Sequence, residues 1–245
     1  MKVAIISDIH GNLEALEAVL LEIGAAGIQT IYCLGDIVGY GANPNECCAR
    51  IAEVAQASVL GNHDEACLGR GRIEHFNSVA RMAAVWTQKA MDAETRRYLE
   101  GTGLTLPLRA DSCDALLVHA SPDRPADWHY ILSDHDAAAA FRACADSLIF
   151  VGHSHVPGIF VEQDGGVIYH RALATALEAG VRYLVNVGSV GQPRDGDPRA
   201  AWCGFDGETR SLAIHRVAYD VETAQQKIRS AKLPEILASR LSWGE

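Results

Sequence analysis

Five short stretches of this sequence place carboxylate, imidazole and amide groups just where an apolar run ends. They are Asp8-Ile9-His10, Gly35-Asp36, Gly61-Asn62-His63-Asp64, His119 and Gly152-His153-Ser154-His155. Carboxylates and imidazoles serve as metal ligands, general bases and general acids, and an amide oxygen is a neutral ligand. The one-residue spacing in Asp8-Ile9-His10 and in His153-Ser154-His155 lets both side chains of an extended backbone point the same way. Any one of these pieces reads equally well as a solvated turn or a structural strand end, because short motifs match by chance. Five in succession do not. The mixture of carboxylate, imidazole and amide suits borderline divalent ions such as Mn, Fe, Zn or Ni, not an all-oxygen calcium site.

The elements that must position these groups are legible on either side of them. "KVAII" is an apolar β-branched run, "LEALEAVLLEI" has apolar residues at helical spacing, and "TIYCL", "NPNECCARIAEVA" and "ASVL" repeat the alternation. Strand–helix alternation predicts a parallel sheet with crossover connections, and ligands of such sheets bind outside the carboxyl ends of the strands. Residues from about 65 to 111 read as mostly helical, an insert within a single domain spanning 1–245. "ALLVHA" and "SLIFVGHSH" resume the strand pattern. After Pro157, "GIFVEQDGGVIYHRAL" and "AWCGFDGETRSLAIHRV" read as hairpins around a further strand "RYLVNVGS". The expected fold is α/β: two packed mixed sheets flanked by helices, a four-layer α/β/β/α sandwich.

Composition narrows the function. The formal net charge is −10 over 245 residues, with no basic patch or tail, so a grip on nucleic acid through phosphate neutralisation is not expected. A small phosphorylated substrate remains compatible, because bound cations can supply positive charge. The seven cysteines are odd in number and scattered, without a CxxC pair, which argues against a disulfide framework and for a reducing, cytoplasmic setting. The apolar run after Lys2 stops at Ser7-Asp8, too short for a secretion signal, and no apolar stretch is long enough to span a bilayer. No membrane contact is expected, and the oligomeric state is left open.

Taken together, the five stretches resemble the calcineurin-like metallophosphoesterases, whose motifs run DxH, GD, GNH(D/E), H and GHxH in this order. The later "NVGSVGQPRDGDPRA" is similar to the NxGSxxxPR segment of the smaller bacterial and archaeal, phosphodiesterase-like branch. The resemblance implies two divalent metals about 3.5–4 Å apart. Asp8, His10 and His155 would hold the first, Asn62, His119 and His153 the second, and Asp36 would bridge them, one carboxylate oxygen facing each. A hydroxide between the metals would attack phosphorus in line. His63 would face the substrate, protonating the leaving oxygen or stabilising its charge.

The chain departs from the protein Ser/Thr phosphatase branch, which carries GDxxDRG. Here the segment reads Gly35-Asp36-Ile37-Val38-Gly39-Tyr40-Gly41, lacking the second Asp that supports the catalytic His and the Arg that binds phosphate. Arg194 or Arg199 could replace that Arg, since a guanidinium fork suits phosphate, although both also read as surface residues of a Gly/Pro loop. Asp64 could orient His63, but adjacent residues of an extended chain point apart. Tyr40, Asn43, Asn77 and Trp128 could line a pocket or simply pack. The leading expectation is a phosphodiesterase, since His63 matters most for a poor leaving group. A phosphomonoesterase or protein phosphatase-like enzyme is the alternative. A non-catalytic interaction module, such as the retromer subunit that resembles this family, is the rival from another class. A nucleotide-binding regulator finds no GxGxxG or GxxxxGK.

Overall fold

The computed structural model describes residues 1–71, 73–110, 113–171 and 173–245. The first sheet is seeded by β1 (Lys2–Ile6), whose residues alternate strictly between two apolar environments. Val3 and Ile5 face the interior between the sheets, and Ala4 and Ile6 face helices. A strand buried on both faces needs neighbours on both edges. They are β2 (Thr30–Cys33), parallel, and β11 (Ala200–Asp206), antiparallel. The full order is β3-β2-β1-β11-β12-β9, completed by β3 (Ala55–Ser58), β12 (Ser211–Val217) and β9 (Ala174–Ala176).

The second sheet runs β4-β5-β6-β10-β7-β8. Its strands are β4 (Thr105–Ala110), β5 (Cys113–Val118), β6 (Leu148–Val151), β10 (Arg182–Asn186), β7 (Gly158–Gln163) and β8 (Gly166–His170). The β5–β6 and β6–β10 pairs are parallel and the remainder antiparallel. The inner faces share one apolar cluster in which Val3, Ile5 and Phe205 of the first sheet meet Leu117, Phe150 and Val185 of the second. Outside the first sheet lie α1 (Leu13–Ala25) and α2 (Pro44–Val54), which bury Leu16, Val19 and Ile51 against Ala4 and Ile6. Outside the second lies α6 (Asp134–Ala143), whose Ala137 and Phe141 meet Val118 and Ile149. The four-layer sandwich is therefore the fold of this chain.

One expectation needs correction, and the late strands are shared between the two sheets. The late hairpin β11–β12 pairs with β1, and β10 pairs with β6, because β1 and β6 each require a partner on their open edge. The helical stretch is shorter than read. It comprises α3 (Asn62–Cys67), a 3-10 turn, α4 (Ser78–Ala90) and α5 (Ala93–Glu100), and then Thr105–Ala110 pairs with β5 as an edge strand. Position 111, the end of the predicted stretch, lies outside the described residues. Among the described residues, α7 (Val221–Ser230) and α8 (Glu235–Ser239) close the chain on either side of Pro234, and no helix is long and apolar enough to cross a membrane.

Candidate metal centre

All the candidate ligands converge where the carboxyl ends of both sheets meet. Asp8 and His10 leave β1, Asp36 leaves β2, Asn62 opens α3 just past β3, His119 leaves β5, and His153 and His155 leave β6. The backbone there is not extended, as the spacing argument assumed. Asp8, His10, Asp36, His153 and His155 all have positive φ, from 50° to 64°. A non-glycine residue in this region costs roughly 1–3 kcal/mol and persists only where its surroundings over-determine it. Those surroundings are backbone bonds: Asp8 N–H donates to Gly35 C=O (3.0 Å), His10 N–H to Asp36 C=O (2.9 Å) and Gly191 N–H to Asp8 C=O (2.9 Å). Gly152 permits a close approach, since a Cβ there would collide with Ser7 and with the Asp8 carboxylate.

Each of the four imidazoles is pinned through one nitrogen to a backbone carbonyl. His10 Nδ1 donates to Val38 C=O (3.2 Å), His119 Nδ1 to Leu34 C=O (2.8 Å), His155 Nδ1 to Gln192 C=O (2.6 Å) and His153 Nε2 to Trp128 C=O (3.0 Å). A carbonyl only accepts, so the nitrogen facing it carries the hydrogen and the other presents a lone pair. This is how metal-binding histidines are oriented. Two buried groups result, Asp8 with His10 and His155, and Asp36 with His119 and His153, the donor atoms of each lying within 4.8 Å of one another.

The carboxylates fit cations in the same way. Asp8 Oδ2 accepts from the His153 backbone N–H (3.0 Å), while Oδ1 is buried without a hydrogen-bond partner, 3.3 Å from His155 Nε2. Asp36 Oδ1 accepts from the His63 backbone N–H (2.8 Å), and Oδ2 is likewise orphaned. That Oδ2 lies 3.6 Å from His10 Nε2 and 3.4 Å from His119 Nε2. Asp36 thus reaches both groups through this oxygen. Asn62 Oδ1 stands 3.1 Å from His119 Nε2. Buried, unpartnered anionic oxygens are costly unless a cation completes them. The two groups fit a binuclear divalent metal site.

The charges are tightly linked. Burial acts to raise the Asp8 and Asp36 carboxyls, but the surrounding histidines outweigh it and hold both below the usual range. Burial acts to lower His119, yet the adjacent Asp36 carboxylate lifts it to about 9. Burial takes His153 down to about 3 and keeps His10 and His155 low. In the absence of an ion, His119 answers the facing carboxylate by holding a proton.

His63 sits in the first turn of α3, its ring 4.3 Å from Tyr40, 4.6 Å from Phe76 and 5.0 Å from His10, measured between centroids. Its Nδ1 is buried without a partner beside Gly39, where a Cβ would stand only 2.9 Å away. Gly39 occupies the position of the second Asp in the protein phosphatase motif, so the missing support is visible as an unpaired nitrogen. Asp64 does not supply it. Because Asn62–Cys67 is helical, Asp64 turns back to accept from Val38 N–H and Gly61 N–H, both at 3.1 Å, and locks the turn. Burial and nearby Asp36 push its carboxyl up to about 7.

The two candidate arginines part company. Arg194 lies with its guanidinium carbon 5.7 Å from the centre of the Tyr40 ring, held by Gln192 Oε1 at 2.7 Å, and its charge reaches His63 and His155. Arg199 is exposed and forked onto Asp197, with Nε 3.0 Å from Oδ1 and Nη2 2.6 Å from Oδ2, so it does not join the site. Of the other pocket candidates, Tyr40 packs on His10 and His63, and Trp128 approaches His119 and anchors His153. Asn77 and Asn43 serve as N-cap residues of α4 and α2.

Several contributors escaped sequence reasoning. Asn186 donates to Gly152 C=O (2.7 Å) and Ser154 Oγ (2.9 Å), and Ser189 Oγ donates to Asp8 C=O (2.8 Å). The segment after β10 therefore ties the loop of His153 and His155 to the loop of Asp8 and His10. Tyr130 stacks on His153 with centroids 3.9 Å apart, and Phe76 closes the far face of His63. Only Asn186 and Ser189 left a signal, inside the NxGS segment.

Fold and site together are those of the metallophosphoesterase class. Residues 1–208 match the calcineurin-like phosphoesterase superfamily domain, and the chain belongs to that family. It is similar to an uncharacterized protein of Methanocaldococcus jannaschii, 42% identical over 243 residues that make up 99% of this chain and 98% of that one. Among solved structures it is similar to a metallophosphoesterase from Sphaerobacter thermophilus, with 41% identity, 100% and 99% of the two chains covered and a TM-score of 0.87. A hypothetical protein from Pyrococcus horikoshii OT3, 23% identical over 100% and 98% of the chains, shares the fold with a TM-score of 0.81.

Proposed function

We propose that this protein is a binuclear metal-dependent phosphodiesterase acting on a small substrate. The observation that carries the reading is Asp36 Oδ2, buried, unpartnered and within reach of histidines from both ligand groups. Asp8, His10 and His155 would hold one divalent ion and Asn62, His119 and His153 the other, with Asp36 in reach of both. When bound, such ions draw in the phosphate oxygens and make water acidic enough to serve as the nucleophile near neutral pH.

The chain's own residues do the rest. The four pinned imidazoles present lone pairs of fixed direction, so little reorganisation accompanies reaction. Burial pushes His63 down to about 4, so its ring is neutral at pH 7. With Nδ1 enclosed beside Gly39, Nε2–H is the donor it offers to the leaving oxygen, stabilising charge there by hydrogen bonding. Arg194, over Tyr40, supplies one guanidinium for a non-bridging oxygen, taking the part of the Arg that position 40 lacks. One such anchor suits the single charge of a diester.

The test is hydrolysis of bis-p-nitrophenyl phosphate beside p-nitrophenyl phosphate by Mn-loaded protein, with Asp36→Asn as control. Faster diester cleavage that vanishes in the variant supports the reading. Preferential monoester cleavage overturns the diester assignment. Cleavage of neither above the control, with each of several metals, overturns the enzyme reading in favour of an interaction module.

A further inference from the structure

The four histidine anchors are not equivalent. Three of the accepting carbonyls belong to fully or almost fully buried residues: Leu34 directly after β2, Val38 with its own N–H tied to Asp64, and Gln192 inside the segment tied to Asp8. The fourth belongs to Trp128, in a loop between β5 and α6 that is half-exposed and irregular. Arg124 and Trp128, flanking a 3-10 turn at Pro125–Asp127, both have positive φ, 49° and 55°. Among the described residues, the backbone hydrogen bonds of this turn are internal to it, Asp127 N–H to Arg124 C=O and Trp128 N–H to Pro125 C=O, and none comes from a strand. A side chain reaches out of it: the Trp128 indole Nε1–H donates to Glu65 Oε2 at 3.1 Å. Glu65 lies on α3, one turn beyond Asn62.

We infer that Glu65 and Trp128 are positioning residues that complete the second metal site. The indole–carboxylate bond fastens the loop to the helix carrying Asn62, and the Trp128 carbonyl then fixes His153 so that Nδ1 turns toward Asp36 and His119. Tyr130, stacked on the His153 ring at 3.9 Å, holds the ring plane from the same loop. The Trp128 ring also stands edge-on to His119, 5.8 Å between centroids. One loop thereby orients one histidine ligand of the second site and abuts the other, whereas the first site, Asp8 with His10 and His155, has no member anchored there. The two sites consequently differ in how much order they possess before an ion arrives. The first is built by strand ends, and the second is finished by a loop. This inference rests on the binuclear reading above and adds to it an order of loading, first site before second.

The test is calorimetric titration of metal-free protein with Mn2+, comparing wild type, Trp128→Phe, Glu65→Ala and Glu65→Gln, each with its thermal midpoint. Trp128→Phe keeps an aromatic side chain and removes the N–H, and Glu65→Gln keeps an oxygen that can accept from the indole. Two ions bind the wild type in a tighter and a weaker step. Trp128→Phe and Glu65→Ala weaken the second step by about ten- to a hundredfold, the range for loss of an outer partner of a metal ligand. They leave the first step and the midpoint of the metal-free protein unchanged, and Glu65→Gln recovers most of the loss. Equal weakening of both steps, or none, overturns the inference while the binuclear reading stands. A wild type that takes up fewer than two ions overturns both.

Discussion

The Nε2 atoms of His10 and His155 stand 3.2 Å apart in the protein interior, each ring already committed through Nδ1 to a backbone carbonyl. In their neutral forms, two lone pairs face one another across that gap. Asp8 Oδ1, orphaned and 3.3 Å from His155 Nε2, adds a third acceptor, and Asp36 Oδ2 a fourth at 3.6 Å from His10 Nε2. No arrangement of neutral donors reconciles four acceptors. A cation does, and the strained backbone at Asp8, His10, Asp36 and His155 is what holds them there.

A proton on His119 would compete with an ion at the second ligand group. The His119 pKa in the metal-free protein, about 9, is above the unfolded value near 6.5. The associated stability is therefore fully present below pH 6.5 and lost as pH rises through about 9. Between pH 7 and 9, chelator-stripped protein should lose thermal stability, whereas loaded protein, whose His119 has already given up that proton, should not. Calorimetric midpoints of both forms across this range check the sign. A stripped protein equally stable at pH 7 and 9 would sink the assignment.

Loss of His63 separates catalysis from metal binding. His63→Ala should lower kcat by about 10²–10³, the usual effect of removing one donor to a developing oxyanion. Metal content should remain at the wild-type level, because no His63 atom belongs to either ligand group. Metal analysis alongside steady-state kinetics checks both. Reduced metal content in a folded variant would make His63 a ligand and remove it from the leaving-group role.

Arg194 and Arg199 should behave oppositely. Arg194→Gln should raise KM for bis-p-nitrophenyl phosphate by roughly tenfold or more, as expected for losing a charge-assisted contact of about 1.5–3 kcal/mol. Arg199→Gln should leave kcat/KM within twofold, since its fork is occupied by Asp197 on the surface. Steady-state kinetics on the two variants is the measurement, and equal effects would contradict the placement of Arg194 over Tyr40.

Much of this site is legible in the sequence, and the illegible part has a physical cause. Ligands at strand ends are visible because apolar runs give way abruptly to Asp, His or Asn, as at Ile6-Ser7-Asp8 and Val151-Gly152-His153. The two-sheet sandwich follows from strand–helix alternation that gives way to hairpins after Pro157. Which strand joins which sheet does not, because pairing of β1 with β11 is decided by contacts some 200 residues apart along the chain. Left-handed backbone at Asp8 or His153 leaves no decisive mark, since even Asp and His, the types enriched there, adopt it at only a small fraction of their positions. The helical turn that diverts Asp64 from His63 is hidden by its brevity. Glu65 and Trp128 read as ordinary surface and pocket residues until the loop folds across to α3.

The most direct measurement is anomalous diffraction at the manganese edge from crystals of Mn-loaded protein. Two peaks about 3.5–4 Å apart are expected. One should be bounded by Asp8, His10 and His155, the other by Asn62, His119 and His153, with Asp36 Oδ2 in reach of both. A single peak under saturating Mn2+, or two peaks that do not share Asp36, would contradict the binuclear reading.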